Sequence, residues 1–360
     1  MGLIIGLIIG FELGVRLGRT VGPVRLTIVY GSEKKQWVEE IVPIFMAEWN
    51  STHGTVLVVE AVPMGSRSSL NQIIMGQIKP VVWSPASSIW LPLINYEWEQ
   101  RYPEYVEEHG PLVSSWRAFI YSPLVIATWE SFTHMNGIEG IEGLHRLSTQ
   151  GALKFAHTDP RLSNSGAMAV LLEVSAACKK PPSTLTISDL REVSVRKWLV
   201  ELERGAVHYG SSTGFLIEQM ILSGPARLNA AFVYENLVIE ANLEGEAEAR
   251  WGQGLVAVYP REGTLLSDHP FCILNAPWVS SEEREVAEEF LDFLARADIQ
   301  QRAMRLGFRP MNPDVELDLS IFSPQNGVKA EIASPILESR VDGEVIRKLA
   351  DLWLACKARG

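Results

Sequence analysis

The chain is short of the residues that staple small domains and of those that grip nucleic acid. Its 360 residues include three cysteines, Cys178, Cys272 and Cys356, far apart and without a CxxC pair. That spacing argues against a structural zinc or a disulfide framework, and a single disulfide would leave one thiol over. Positive charge is in deficit: Lys and Arg number 32 against 43 Asp and Glu, for a net charge of -11. Nucleic-acid binders attract phosphate through Lys and Arg, so an acidic chain points away from that class. The seven histidines are scattered, with no H-x-x-x-H or H-E-x-x-H, which argues against a catalytic metal. No cofactor is expected. Internal repeats and low-complexity tracts are absent as well.

What is present suits a soluble globular protein: 47% hydrophobic and 21% charged residues. The length fits two domains of about 150 residues each, large enough for cores that need no staples. The first fifteen residues, MGLIIGLIIGFELGV, form an apolar run broken by Glu12 and several glycines. The run lacks a basic n-region and an A-x-A cleavage site, and it is shorter than the ~20 residues that span a bilayer. Three readings stand: an uncleaved membrane anchor, a signal segment truncated by its start, or an apolar first helix. A buried helix would show a polar face, which favours the first two. Residues 1–22 are therefore expected to be a signal or membrane-anchor segment, with the fold starting near Pro23 outside the cytoplasm.

From there, strand, polar loop and helix alternate. Arg25 to Gly31 reads as a strand, and Val38, Ile41, Val42, Phe45, Met46 and Trp49 follow at helical spacing. Thr55 to Ala61 and Val81 to Trp83 are further strands, each leading through a small-residue loop into a helix. The pattern resumes at 123–128, 153–156, 206–209, 231–234 and 255–259. Such alternation predicts an α/β fold with mainly parallel sheets flanked by helices. Near the end, Ser280 and Glu283 form a capping box, and Gly307 to Pro310 is a helix stop.

The loops after the strands carry most of the small hydroxyl residues. They contain Ser32; Ser66, Arg67 and Ser68; Ser84; Thr158 and Asp159; and Ser211, Ser212 and Thr213. Ligands of open α/β sheets bind at the carboxyl ends of the strands, where helix N-termini favour anions and small hydroxyls add donors. Ordinary N-capping explains any one of these loops equally well. Five of them together point to a ligand site.

Gly210 to Gly214 also matches G-x-S-x-G between a strand and a helix, with Asp268 and His269 following in the order of an α/β-hydrolase triad. Adjacent Asp and His would struggle to line up with Ser212, and no HGGG-type oxyanion segment precedes it. A helix start lined with hydroxyls accounts for the same residues without a reaction. Glu235 and Asn236, directly after Tyr234, suit a ligand contact or a turn. For Trp83, Trp90 and Trp98, core packing is the default.

Four segments carry a resemblance: Phe155 to Glu173 (FAHTDPRLSNSGAMAVLLE), Ala230 to Asn242 (AAFVYENLVIEAN), Leu255 to Leu274 (LVAVYPREGTLLSDHPFCIL) and Glu288 to Pro310, ending GFRP. From about Leu26 to Pro310 the chain resembles extracellular solute-binding proteins of ABC importers. The type II periplasmic-binding family, with its molybdate-, tungstate- and sulfate-binding members, is the nearest group. The resemblance implies a two-lobed fold with crossings near 120–128 and 254–260. One lobe would hold 23–121 plus 261–360, the other 122–260. It implies a monomeric, extracytoplasmic, non-enzymatic receptor for a small, oxyanion-like solute, delivering to an ABC permease and tethered by its N-terminus. Carried over by position, the anion donors are Ser32, Ser66 with Ser68 as a rival, Thr158, and Ser212 or Thr213, with Tyr234 matching the family tyrosine. Arg67, Trp83 beside Ser84, and the acids Asp159 and Glu235 depart from the oxyanion pattern, and with them a sugar, organic acid or peptide enters as ligand. A cell-surface sensor or scaffold remains the other non-enzymatic reading.

Overall fold

A computed structural model describes residues 23–358. The segment 1–22, expected to be a signal or anchor, lies outside the described residues. Among the described residues no helix is long and apolar enough to cross a membrane. The strands in chain order are β1 (Val24–Tyr30), β2 (Leu57–Pro63), β3 (Val82–Ser84), β4 (Ile120–Trp129), β5 (Phe155–Thr158), β6 (Ala206–Gly210), β7 (Ala230–Tyr234), β8 (Leu255–Val258), β9 (Leu266–Ser267), β10 (Cys272–Ile273) and β11 (Arg309–Pro310).

They form two sheets. The first has the order β10-β3-β1-β2, with β1 parallel to both neighbours and β10 antiparallel. The second has the order β11-β4-β7-β5-β6, with β8 and β9 also on β4. Parallel strands need helical crossovers, and these cover the sheets. On the first sheet, Phe45 of the helix Lys35–His53 meets Phe290 and Phe293 of the helix Ser281–Leu294, with ring centroids 5.1 and 5.3 Å apart. The second of these helices begins at the capping box read from the sequence: Glu283 N donates to Ser280 Oγ, and Ser280 N to Glu283 Oε2.

The strand β4 is the hub of the second sheet. Its first residues pair with β11 and β9, Tyr121 opposite Arg309 and Ser122 opposite Ser267, and its later residues pair with β7 and β8. At the helix stop, Gly307 has φ +80°, and a Cβ there would lie 3.0 Å from Asn236 Cα. Both the left-handed backbone and the close approach require glycine.

The tail departs from the expectation that 261–360 belongs with the first lobe. The helices Ser281–Leu294 and Ala297–Met304 do pack there, but Val315, Phe322 and Val328 sit in the apolar cluster of the second sheet. Arg309 draws the chain that way: it is buried against Glu235, at 2.6 and 2.9 Å, and donates to the carbonyls of Lys329 and Ala330. The terminal helix Gly343–Lys357 then packs on both lobes, against Leu91–Arg101 of the first and Asn164–Cys178, Ile187–Arg191 and Val193–Glu203 of the second.

Candidate functional site

The carboxyl ends of β1, β2 and β3 bring Gly31, Ser66, Ser84 and Ala86 together. Gly31 N donates to Ser84 O at 2.8 Å, and Ala86 N to Ser66 Oγ at 2.9 Å. Behind this loop the fully buried Lys34 Nζ donates to Ser84 O at 2.9 Å and to Pro85 O at 3.4 Å. Burial pulls the Lys34 ammonium down to about 7, against the attraction of Glu33, Asp268 and Cys272. The Glu33 carboxylate lies over Gly31: a Cβ on that glycine would meet Oε2 at 2.6 Å and Ala86 N at 3.1 Å. Glu33 is partly exposed as a residue, yet its Oε2 is enclosed without a partner. Burial pushes its carboxyl above the usual range, with its own backbone amide and Lys34 pulling down.

The second lobe answers with the ends of β5 and β7 and the starts of two helices. Thr158 Oγ1 and Ser165 Oγ are 2.7 Å apart, and Ser165 Oγ and Thr213 Oγ1 are also 2.7 Å apart. Gly166 lets the helix Asn164–Cys178 start against the strand end, since a Cβ there would fall 2.0 Å from Thr158 O. Asn164 Nδ2 donates to Tyr234 Oη at 2.8 Å, while its Oδ1 accepts from Trp90 Nε1 of the first lobe at 2.7 Å.

Tyr234 is where the two sets meet. Burial and the nearby Glu33 push its phenol well up, while hydrogen bonds with Asn164, Thr213 and Ser267 pull the other way. Ser267 Oγ in turn donates to Ala86 O at 2.7 Å. One continuous polar seam thus runs from Ser66 and Ala86 through Ser267 and Tyr234 to Thr213 and Thr158. Beside it, a cavity of about 600 Å³ is lined by Ser32, Glu33, Asn236, Glu240 and Arg305. Asn236 Oδ1, like Glu33 Oε2, is enclosed there without a partner. A second cavity, about 380 Å³, lies between Arg67, Trp90, Arg161, Arg347 and Lys348.

Of the residues expected from sequence, Thr158, Thr213 and Tyr234 come together. Ser66 and Ser84 face them from the first lobe, with Ser84 Oγ enclosed and unpartnered. Ser32 is exposed at the rim of the larger cavity. Ser68, Ser211 and Ser212 are exposed, and Ser68 Oγ accepts from Gln72 Nε2. Arg67 turns to Glu97 at 3.2 Å, although its Nη1 is enclosed without a partner. The two acids that would repel an anion are both engaged. Arg161 holds Asp159 at 2.5 Å, against the burial of its carboxyl, and keeps it below the usual range. Glu235 is bound to Arg309 and Tyr259.

The hydrolase arrangement is not assembled. Ser212 is exposed, Asp268 Oδ1 accepts from Ser88 N at 2.7 Å, and His269 is fully buried with neither ring nitrogen partnered. Among the described residues no hydrogen bond joins the three. Sequence reasoning missed Glu33, Ser163, Asn164, Ser165, Ser267 and the reach of Trp90. The three residues 163–165 stood in a hydroxyl-rich loop before a helix, which was a usable signal. Glu33, next to Lys34 and Lys35, reads as a surface charge.

Two α/β lobes whose strand ends face one another across a polar seam define a two-lobed periplasmic-binding-protein fold. A family model described as bacterial extracellular solute-binding protein matches residues 26–309, and the chain belongs to that family. Membership places its work outside the cytoplasm. Among solved structures, the chain is similar to a periplasmic thiamin binding protein, with TM-score 0.64 and 13% identity over 93% of this chain and 96% of that one. It is similar to Trichodesmium IdiA (FutA) in complex with iron and citrate, with TM-score 0.62 and 13% identity over 92% and 99%. It also resembles AfuA from Actinobacillus pleuropneumoniae with fructose-6-phosphate bound, with TM-score 0.58 and 14% identity over 93% and 99%. At these identities the likeness concerns the fold alone. No curated protein matches the chain.

Proposed function

We propose that this protein is the receptor of an ABC-type importer, closing its lobes on a small polar solute at the Glu33–Tyr234 seam. It makes and breaks no bond. The open form samples closure, and the solute holds the closed form by touching both lobes, which a membrane permease then recognises. The first residues of β4, paired with β9 and β11, and the return after β8 are the hinge in this reading.

The observation that carries the proposal is the enclosed, unpartnered acceptor Glu33 Oε2 beside hydroxyls drawn from both lobes. A buried acceptor left unpaired costs about 1–3 kcal/mol, which a solute that donates to it would recover. A hydroxylated or amine-bearing solute suits this end of the seam. The anionic solute expected from sequence is the second reading. The unpartnered Arg67 Nη1, in the cavity shared with Arg161, Arg347 and Lys348, favours it.

Thermal melting against polyols, sugars, amines, sugar phosphates and tetrahedral oxyanions tests both, because a ligand that binds only the native state raises Tm. A shift abolished by Glu33→Gln and kept by Arg67→Gln supports the first reading, and the reverse supports the second. No shift with any class, together with labelling of Ser212 by a serine-directed probe, would overturn the receptor.

A further inference from the structure

We propose that the second lobe holds a structural divalent transition-metal ion between His157, Glu173 and Glu203, in a closed site away from the solute seam. The three come from different elements: His157 from β5, Glu173 from the helix Asn164–Cys178 and Glu203 from the end of the helix Val193–Glu203. One ligand atom from each lies within 4.8 Å of the others. Side chains alternate along a strand, so Thr158 faces the seam while His157 points to the opposite face. The site is therefore separate from the Tyr234 cluster.

Glu173 is 0% exposed, yet neither carboxylate oxygen has a partner. A bare carboxylate in an apolar interior is strongly unfavourable, so Glu173 is held either as the neutral acid or against a bound cation. A proton neutralises Glu173 but leaves its carboxyl without a hydrogen-bond partner in this arrangement. Pairing His157 as a cation with Glu203 balances the cluster only when Glu173 is protonated. A divalent cation, by contrast, neutralises both carboxylates and engages the imidazole at once.

The surroundings are already set for ligation. His157 Nδ1 lies 2.7 Å from Thr158 O, to which it donates, and this fixes the tautomer with Nε2 facing Glu203 Oε1 at 3.1 Å. That Nε2–Oε1 separation is close to an edge of a tetrahedron of metal ligands, for bonds of about 2.0–2.1 Å. Tyr209 Oη donates to the other oxygen of Glu203 at 2.5 Å, orienting the carboxylate. Trp353 of the terminal helix covers the site, its ring edge-on to His157 at 5.8 Å and to Tyr209 at 5.1 Å. One nitrogen with two carboxylates suits zinc, manganese(II) or iron(II). Full burial means that the ion enters during folding and does not exchange from the native state.

The test is elemental analysis of the untagged full chain, before and after dialysis against EDTA, in native buffer and after unfolding in denaturant. About one ion per chain is expected, retained through native dialysis and lost only after unfolding. Refolding with Zn²⁺ or Mn²⁺ should then restore the original Tm, and refolding in EDTA should give a lower one. Glu173→Gln should carry no ion and show the same Tm with and without metal. Should that variant fail to fold, the metal content and refolding of the wild-type chain decide alone. An ion that leaves the native protein in EDTA, a metal-free wild type whose refolded Tm ignores both Zn²⁺ and Mn²⁺, or an ion retained by Glu173→Gln would each overturn the site.

Discussion

Trp90 and Asn164 join the two lobes directly, indole Nε1 to amide Oδ1 at 2.7 Å, and the same amide donates onward to Tyr234. Replacing Asn164 by Ala strands the buried Trp90 indole N–H, but only in the closed form, while Tyr234 keeps Thr213 and Ser267. An unpaired buried donor costs about 1–3 kcal/mol, so affinity for the stabilising solute should fall about tenfold or more. Titration calorimetry measures that loss, and solution scattering of the apo variant should show a more extended molecule. Equal affinity and an unchanged radius of gyration would contradict the role given to this pair.

Glu33 sets a pH dependence of binding. Burial raises its carboxyl, so the protonated form persists above the usual carboxylate range. A donating solute needs the ionised form, so its affinity should rise with pH through the raised pKa and then level off. Asp159, held low by Arg161, stays ionised across that window. Binding isotherms at a series of pH values, with Glu33→Gln flattening the profile, check this. A profile that falls with pH would point to an anion meeting the protonated acid.

The Glu235–Arg309 pair is buried, with side chains 0% and 5% exposed. Glu235→Ala leaves a guanidinium without its charge partner, and breaking such pairs costs about 3–5 kcal/mol. Urea unfolding should lose that much, and pairing the change with Arg309→Met should recover part of it. A loss below about 1 kcal/mol, the size of a surface pair, would show that the charge is solvated some other way.

Gly166→Ala places a methyl group onto the Thr158 carbonyl, which as backbone has little room to move. Overpacking of this kind costs about 1–3 kcal/mol and shifts the helix start that carries Asn164 and Ser165. Solute affinity should suffer more than Tm does. An alanine variant that binds normally would mean that this junction is looser than drawn.

The sequence made the strand order of events legible, because period and loop chemistry are local. Strand, hydroxyl loop and helix fell within a residue or two at β1, β3 and β5, and the capping box at Ser280 formed as read. The tail was not legible. Its apolar residues carry no mark of which sheet they cover, and the cause is a long-range bidentate contact from Arg309 to Glu235. Thr158, Thr213 and Tyr234 lie together at the seam because each ends a strand or starts a helix. Ser211 and Ser212 stand two and one residues before Thr213, but only Thr213 is turned inward and buried. Local pattern does not resolve which hydroxyl of a run faces the partner lobe. Glu33 escaped because its meaning depends on an enclosure that only the folded chain creates.

The terminal helix has a mechanical consequence. Its first turn is wedged against Pro92, Arg347 lies over Tyr96, and Lys357 at the far end lies over Tyr209. A molecule hinged at one edge and fastened at another does not swing freely. In the proposed receptor, opening would have to break these contacts, so dwell time should depend on the fifteen residues of Gly343–Lys357 as well as on the seam.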